Sequence, residues 1–132
     1  MLSDIDIKTR SQIEFIDITS QVQGVIDKSG IKEGVCSVYV PHTTAAVTIN
    51  ENADPDVIRD IITRLNEIVP LNGNYRHTEG NSAAHIKSSI IGASESVFIK
   101  DGRLILGTWQ SIFFCEFDGP RSRRVFIKLI TQ

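Results

Sequence analysis

Ser96-Val97-Phe98-Ile99-Lys100-Asp101-Gly102-Arg103-Leu104-Ile105-Leu106 settles the fold class. Two apolar, β-branched runs flank Asp101-Gly102, a dipeptide that tolerates the positive φ angles of a two-residue primed turn, whose twist matches that of the paired strands. The segment therefore reads as a β-hairpin. Downstream, Thr108 to Asp118 reads as a long strand, whose alternation places Trp109, Phe113, Cys115 and Phe117 on one face and Gln110, Ile112, Phe114, Glu116 and Asp118 on the other. Gln110 and Glu116 sit on a mostly apolar face and need partners there. Arg124-Val125-Phe126-Ile127-Lys128-Leu129-Ile130 is a last strand, so the final third of the chain reads as an antiparallel meander.

Upstream, strand and helix signals alternate. Ser11 to Ile18 reads as a strand, followed by a helix with Thr19 as N-cap, Val22, Val25 and Ile26 on its apolar side, and Gly30 as its left-handed stop. Gly34 to Val40 and Ala45 to Ile49 are strands joined by Pro41-His42-Thr43-Thr44. Asp54-Pro55-Asp56 opens the clearest helix: an N-cap carboxylate, a proline whose missing N–H costs nothing at the first position, and an acid favourable to the helix dipole. Val57, Ile58, Ile61, Ile62, Leu65, Ile68 and Val69 recur at helical spacing until Pro70. A third helix is expected from Asn81 to Gly92, with Ile86 and Ile90 turned inward and His85 on the polar side. About seven strands with three helices inserted early predict an α+β fold: a β-sandwich of mainly antiparallel strands with helices to one side.

Composition bounds the function. The 132 residues suit a single domain over 1–132, and a net charge of −2 gives no basic field for nucleic acid. Arg121, Arg123 and Arg124 form one local basic cluster, suited to a phosphate or to a solvated loop. Cys36 and Cys115 lie in apolar runs and read as buried hydrophobes. No apolar run approaches the ~18 residues of a membrane span, and the acidic start Met1-Leu2-Ser3-Asp4-Ile5-Asp6 does not resemble a leader, so a cytoplasmic protein with no membrane partner is expected. Apolar residues on both faces of several strands predict that sheet surface is buried between subunits.

The chemistry concentrates in His77-Thr78-Glu79-Gly80-Asn81-Ser82-Ala83-Ala84-His85, which holds two of the three histidines around a turn and a helix start; His42 is the third. Imidazoles beside Glu79 are suited to a metal, and helix N-terminal amides to an anion. The spacing is not that of HExxH, where both rings share one helical face.

Pro41-His42-Thr43-Thr44-Ala45-Ala46, Asn50-Glu51-Asn52-Ala53-Asp54-Pro55-Asp56, the His77 to His85 stretch, Gly107-Thr108-Trp109-Gln110 and Phe117-Asp118-Gly119-Pro120-Arg121 resemble the motif series of the YjbQ family, in order along nearly the whole chain. The resemblance implies an α+β sandwich assembled as a homotrimer and a secondary thiamine-phosphate synthase activity, the transfer of hydroxymethylpyrimidine from its pyrophosphate to thiazole phosphate. It places the motif histidines on His42, His77 and His85 and the polar positions on Asn50, Glu51, Asp54, Glu79, Asn81, Gln110, Glu116 and Arg121.

Three converging imidazoles would hold a divalent metal, zinc before others, with magnesium expected if the synthase reaction is the native one. Glu51 or Glu79 would then be the catalytic base, and Thr43, Thr44, Asn50, Asn81, Gln110 and Arg121 would contact a small phosphorylated substrate. The alternatives are a zinc-dependent hydrolase of a phosphorylated metabolite, a non-catalytic metal or small-ligand binding trimer, and histidines that only cap turns at an interface.

Overall fold

A computed structural model describes residues 1–131. The chain order is β1 (Leu2–Lys8), β2 (Glu14–Asp17), α1 (Thr19–Ser29), β3 (Gly34–Tyr39), β4 (Ala45–Glu51), α2 (Pro55–Ile68), α3 (Ser82–Ile91), β5 (Ser94–Lys100), β6 (Arg103–Leu104), β7 (Gln110–Glu116) and β8 (Ser122–Ile130). The strands form a five-stranded sheet, β1-β8-β3-β5-β6, and a three-stranded sheet, β2-β7-β4. All ladders are antiparallel. The α+β sandwich expected from the sequence is what forms.

Strand β7 shows why the layers stack as they do. Its Ile112 and Phe114 face the space between the sheets, against Cys36, Val38, Val97, Ile99, Val125 and Ile127, with Val22 and Ile26 of α1 closing one side. Its Phe113 and Cys115 face the other way, with Phe117 beyond the strand, into a second core completed by Ala46, Leu65 of α2 and Ala84 of α3. Two apolar faces on one strand thus specify three layers: large sheet, small sheet, helices. Both cysteines are buried and unpaired; burial pushes the Cys36 thiol up to about 11 and raises that of Cys115 further, so both are packing residues.

The caps follow the expected physics in two helices. Asp54 accepts from the Asp56 N–H at 2.9 Å with Pro55 in the first turn, and Gly30 ends α1 at φ 74°. Asp101 (φ 53°) and Gly102 (φ 76°) make the β5–β6 turn. Thr19, expected as the α1 cap, is instead the first helical residue; the Asp17 carboxylate accepts its N–H at 2.9 Å.

Three further expectations fail. Residues 2–8 form β1, an edge strand whose Ile5 and Ile7 alternate with Asp4 and Asp6, so the strands number eight among the described residues. The last third is no meander: β5 and β6 lie in the large sheet, β7 in the small one, and β8 returns between β1 and β3. In α3 the inward residues are Ala83, Ala84, Lys87 and Ser88, while Ile86 and Ile90 are exposed. Lys87, 1% exposed, donates to Asn66 Oδ1 of α2, and burial lowers its pKa. No helix of the described residues is long and apolar enough to cross a membrane.

Candidate functional site

The end of the sandwich where β7 hands over to β8 carries a buried polar network. Glu116 points between the sheets and is fully buried, and Arg123 enters from β8 on the facing sheet. Arg123 donates to both Glu116 oxygens, through Nε to Oε1 at 2.8 Å and through Nη2 to Oε2. The hydroxyl of Thr9 donates to Oε1 at 2.7 Å and the Asp118 N–H to Oε2 at 3.0 Å. Burial alone would raise the Glu116 pKa, but the hydrogen bonds from Arg123, Thr9 and Asp118 outweigh it and hold the carboxyl below its ordinary range. Every donor therefore meets an anion, as a buried charge requires.

From this network the exposed groups are hung. Asp118 Oδ2 accepts from Asn81 Nδ2 at 2.9 Å and from Arg121 Nη2 at 3.0 Å, while Arg121 Nε donates to the Asp118 carbonyl at 2.8 Å. Arg121 is thus gripped along one edge of its guanidinium and stays half exposed on the other, at 52% of its side chain. Asn81 heads α3 without capping it, because its side chain is turned to Asp118; its Oδ1 is buried with no hydrogen-bond partner.

One helical turn further, the His85 ring lies against that of His77, edge to face with centroids 5.3 Å apart, and His77 Nε2 is 3.9 Å from Glu79 Oε2. Two imidazoles sharing a tetrahedral zinc with Zn–N of about 2.1 Å have ring centres roughly 5 Å apart, so the spacing of this pair fits two ligands of one ion.

His42 stands apart. Its Nε2 accepts the Arg124 N–H at 2.9 Å, which leaves the proton of the neutral ring on Nδ1. Burial and the nearby Arg123 guanidinium lower its pKa, favouring that neutral form. The lone pair a metal would use at Nε2 is already engaged. Among the described residues no three His, Cys, Asp or Glu side chains are grouped so as to hold a metal. Within one chain, then, the histidines divide into a pair and a single residue.

The remaining sequence candidates divide too. Thr43 is exposed beside His42, but Thr44 is buried and its hydroxyl accepts from Arg123 Nη2 at 2.9 Å, so it belongs to the internal network rather than to a substrate surface. Asn50, Glu51 and Gln110 lie at the opposite end of the small sheet. The ladder pairs Ala45 with Glu116 and Glu51 with Gln110, and six residue steps at ~3.3 Å separate these ends by about 20 Å. There Asn50 Oδ1 accepts the N–H of its neighbour Glu51 within β4 at 2.7 Å, and Gln110 Oε1 accepts the Gly107 N–H across a turn at 2.8 Å, so both groups bond locally. Of the two proposed bases, only Glu79 stands beside the histidine pair.

Sequence reasoning missed Thr9 and the Asp118 carboxylate. Glu116 gave a signal, an acid on an apolar strand face; Thr9 gave none, since its partners lie 107 and 112 residues away.

A family model described as "UPF0047 protein YjbQ-like" matches residues 3–132. The chain is 54% identical over 130 residues to UPF0047 protein MJ1081 of Methanocaldococcus jannaschii, covering 98% of this chain and 94% of that one. It is 53% identical over 131 residues to UPF0047 protein YugU of Bacillus subtilis, covering 98% and 99%. Among solved structures it resembles an uncharacterized conserved protein of the YjbQ/UPF0047 family from Clostridium acetobutylicum, with TM-score 0.95, 53% identity and coverage of 97% and 99%. It also resembles a YbjQ-like protein of unknown function from Sulfolobus solfataricus, with TM-score 0.95, 36% identity and coverage of 100% and 97%. The chain belongs to the UPF0047, YjbQ-like family.

Proposed function

We propose that the start of α3 and the β7–β8 turn form a binding site for a small phosphorylated substrate, and that the protein is a small-molecule enzyme of thiamine-phosphate synthase type. The observation that carries this is Arg121, held by two hydrogen bonds to Asp118 yet half exposed, beside the uncapped start of α3 and the His77–His85 pair. A guanidinium locked in place and facing solvent is suited to a phosphate oxygen, because its orientation is fixed before the ligand arrives.

In the proposed reaction the bond from the pyrimidine methylene to pyrophosphate breaks and a bond from that carbon to the thiazole nitrogen forms, releasing pyrophosphate. The chain's part is to neutralise the charge that gathers on the leaving group: Arg121 binds its oxygens, and the positive end of the α3 dipole adds partial positive charge. The His77–His85 pair would supply two nitrogen donors to a divalent ion, whose remaining ligands would be substrate oxygens or water. When bound, such an ion supplies charge neutralisation or polarisation of a phosphoryl oxygen, magnesium fitting the synthase reaction and zinc the imidazoles. The closeness of the two rings, which would suit two nitrogen ligands of one zinc, is what favours hydrolysis of a phosphorylated metabolite as a second reading.

A homotrimer accompanies this proposal. The outward face of the large sheet exposes Leu2, Tyr39, Phe98 and Ile130, which is apolar surface of the kind subunits cover. Two buried free thiols suit the reducing cytoplasm. Turnover of hydroxymethylpyrimidine pyrophosphate with thiazole phosphate, with and without magnesium or zinc, tests the reading in wild type, Arg121→Gln and His85→Ala. Thiamine phosphate formed by wild type and reduced at least tenfold in both variants is expected; equal rates in all three would remove the reaction from this site.

A further inference from the structure

We propose that Thr9 is a positioning residue for the anion site, fixing Arg121 and its turn from the far end of the chain; this rests on the reading of Arg121 as the anion ligand. Thr9 is 2% exposed and reaches the turn with its N–H and its hydroxyl. Its N–H donates to the Arg121 carbonyl at 2.9 Å, and its Oγ1 accepts the Arg121 N–H at 2.8 Å. The same hydroxyl has one proton to give, and Glu116 Oε1 at 2.7 Å is a closer and more strongly charged acceptor than the Arg121 carbonyl at 3.1 Å.

The consequence is that one buried carboxylate sets both ends of the turn. Glu116 Oε2 accepts the Asp118 N–H, and Oε1 takes the Thr9 hydroxyl that in turn receives the Arg121 N–H. The intervening Gly119 is wedged against the segment that follows Thr9: its N–H donates to the Gln12 carbonyl at 3.0 Å, and a Cβ there would stand 2.3 Å from Ser11 O and 2.8 Å from Thr9 Oγ1. Only a side chain that accepts and donates at once completes this relay. Valine copies the shape of threonine and supplies neither function, so Thr9→Val removes the relay while leaving the Glu116–Arg123 pair in place.

The test compares wild type, Thr9→Val, Thr9→Ser and Arg121→Gln in the full-length protein. Affinity for inorganic pyrophosphate is measured by calorimetry and the Arg121 Nε–H resonance is followed by NMR. Expected are a roughly three- to tenfold loss of affinity in Thr9→Val, the scale of one hydrogen bond, with a displaced Arg121 Nε–H signal, and recovery of both in Thr9→Ser. Wild-type affinity in Thr9→Val alongside a loss in Arg121→Gln overturns the positioning role alone. Wild-type affinity in Arg121→Gln overturns the anion reading, and Thr9's role with it. Should Thr9→Val not fold, hydrogen exchange of the Arg121 backbone N–H in wild type decides: protection comparable to the β8 ladder is expected, and exchange at the rate of an open loop overturns the relay.

Discussion

Replacing Glu116 by glutamine changes one oxygen to an NH₂ group at a point where the surrounding donors leave no room for a second one. Four donor contacts reach the carboxylate, two at each oxygen: Thr9 Oγ1 and Arg123 Nε at Oε1, Asp118 N and Arg123 Nη2 at Oε2. Turned one way, the NH₂ faces the Asp118 N–H and Arg123 Nη2; turned the other, it faces Arg123 Nε while the Thr9 hydroxyl can redirect its proton to the Arg121 carbonyl 3.1 Å away, so either way at least one Arg123 N–H loses its acceptor. The Arg123 charge, whose side chain is 5% exposed, is left without its counter-ion. Breaking a buried pair from one side costs roughly 3–5 kcal/mol, a large share of the ~5–15 kcal/mol by which a domain is stable. Urea unfolding at fixed protomer concentration, followed by circular dichroism, measures this directly. A companion double variant, Glu116→Gln with Arg123→Met, removes the orphaned charge and is expected to recover a substantial part of the loss. A loss under about 1 kcal/mol in the single variant, with an unchanged m-value, refutes the view that this pair holds the end of the sandwich together.

Two further outcomes are expected. The pKa of Lys87 is lowered by burial in the folded state, so below the unfolded lysine value of about 10.4 the unfolded chain binds more protons, and stability must rise as pH climbs toward that value; Lys87→Met is expected to flatten this alkaline slope and to stabilise the protein at neutral pH by on the order of 1 kcal/mol, and an undiminished slope in denaturant titrations at several pH values contradicts it. Phe98, 70% exposed on the outer face of β5 and paired across the ladder with Val35, lies on the surface proposed to be covered in the trimer, so Phe98→Lys is expected to lower the mass seen by light scattering toward that of one chain while circular dichroism stays unchanged; an unaltered mass contradicts that placement.

How much of the molecule is readable in the sequence depends on the range of the interaction. The Asp54-Pro55 helix start, the Asp101-Gly102 turn and the two-faced β7 are local signals, written in adjacent residues, and the fold class follows from them. The inward face of α3 is misread from sequence because Ile86 and Ile90 outweigh Ala83, Ala84 and Lys87 in any apolar count, yet only small residues fit against β4 and Lys87 finds Asn66 across the helix pair. The division of the site candidates is not readable either. Asn50 and His42 are eight positions apart in sequence, but an extended strand carries them to opposite ends of a sheet, and nothing local says that a motif series will be split in this way. Thr9 lies beyond sequence reasoning for the same cause: its role exists only once β1 is laid beside β8.

The most direct measurement is a pyrophosphate titration, with magnesium present, followed through the backbone amide resonances of the wild-type protein. Saturable shifts concentrated at Ser82, Ala83, His85, Asp118 and Arg121, around the start of α3 and the β7–β8 turn, are the expected result. Shifts concentrated instead at Asn50 to Asn52 and Gly107 to Gln110, or no saturable shifts at all, would contradict a phosphate site at Arg121.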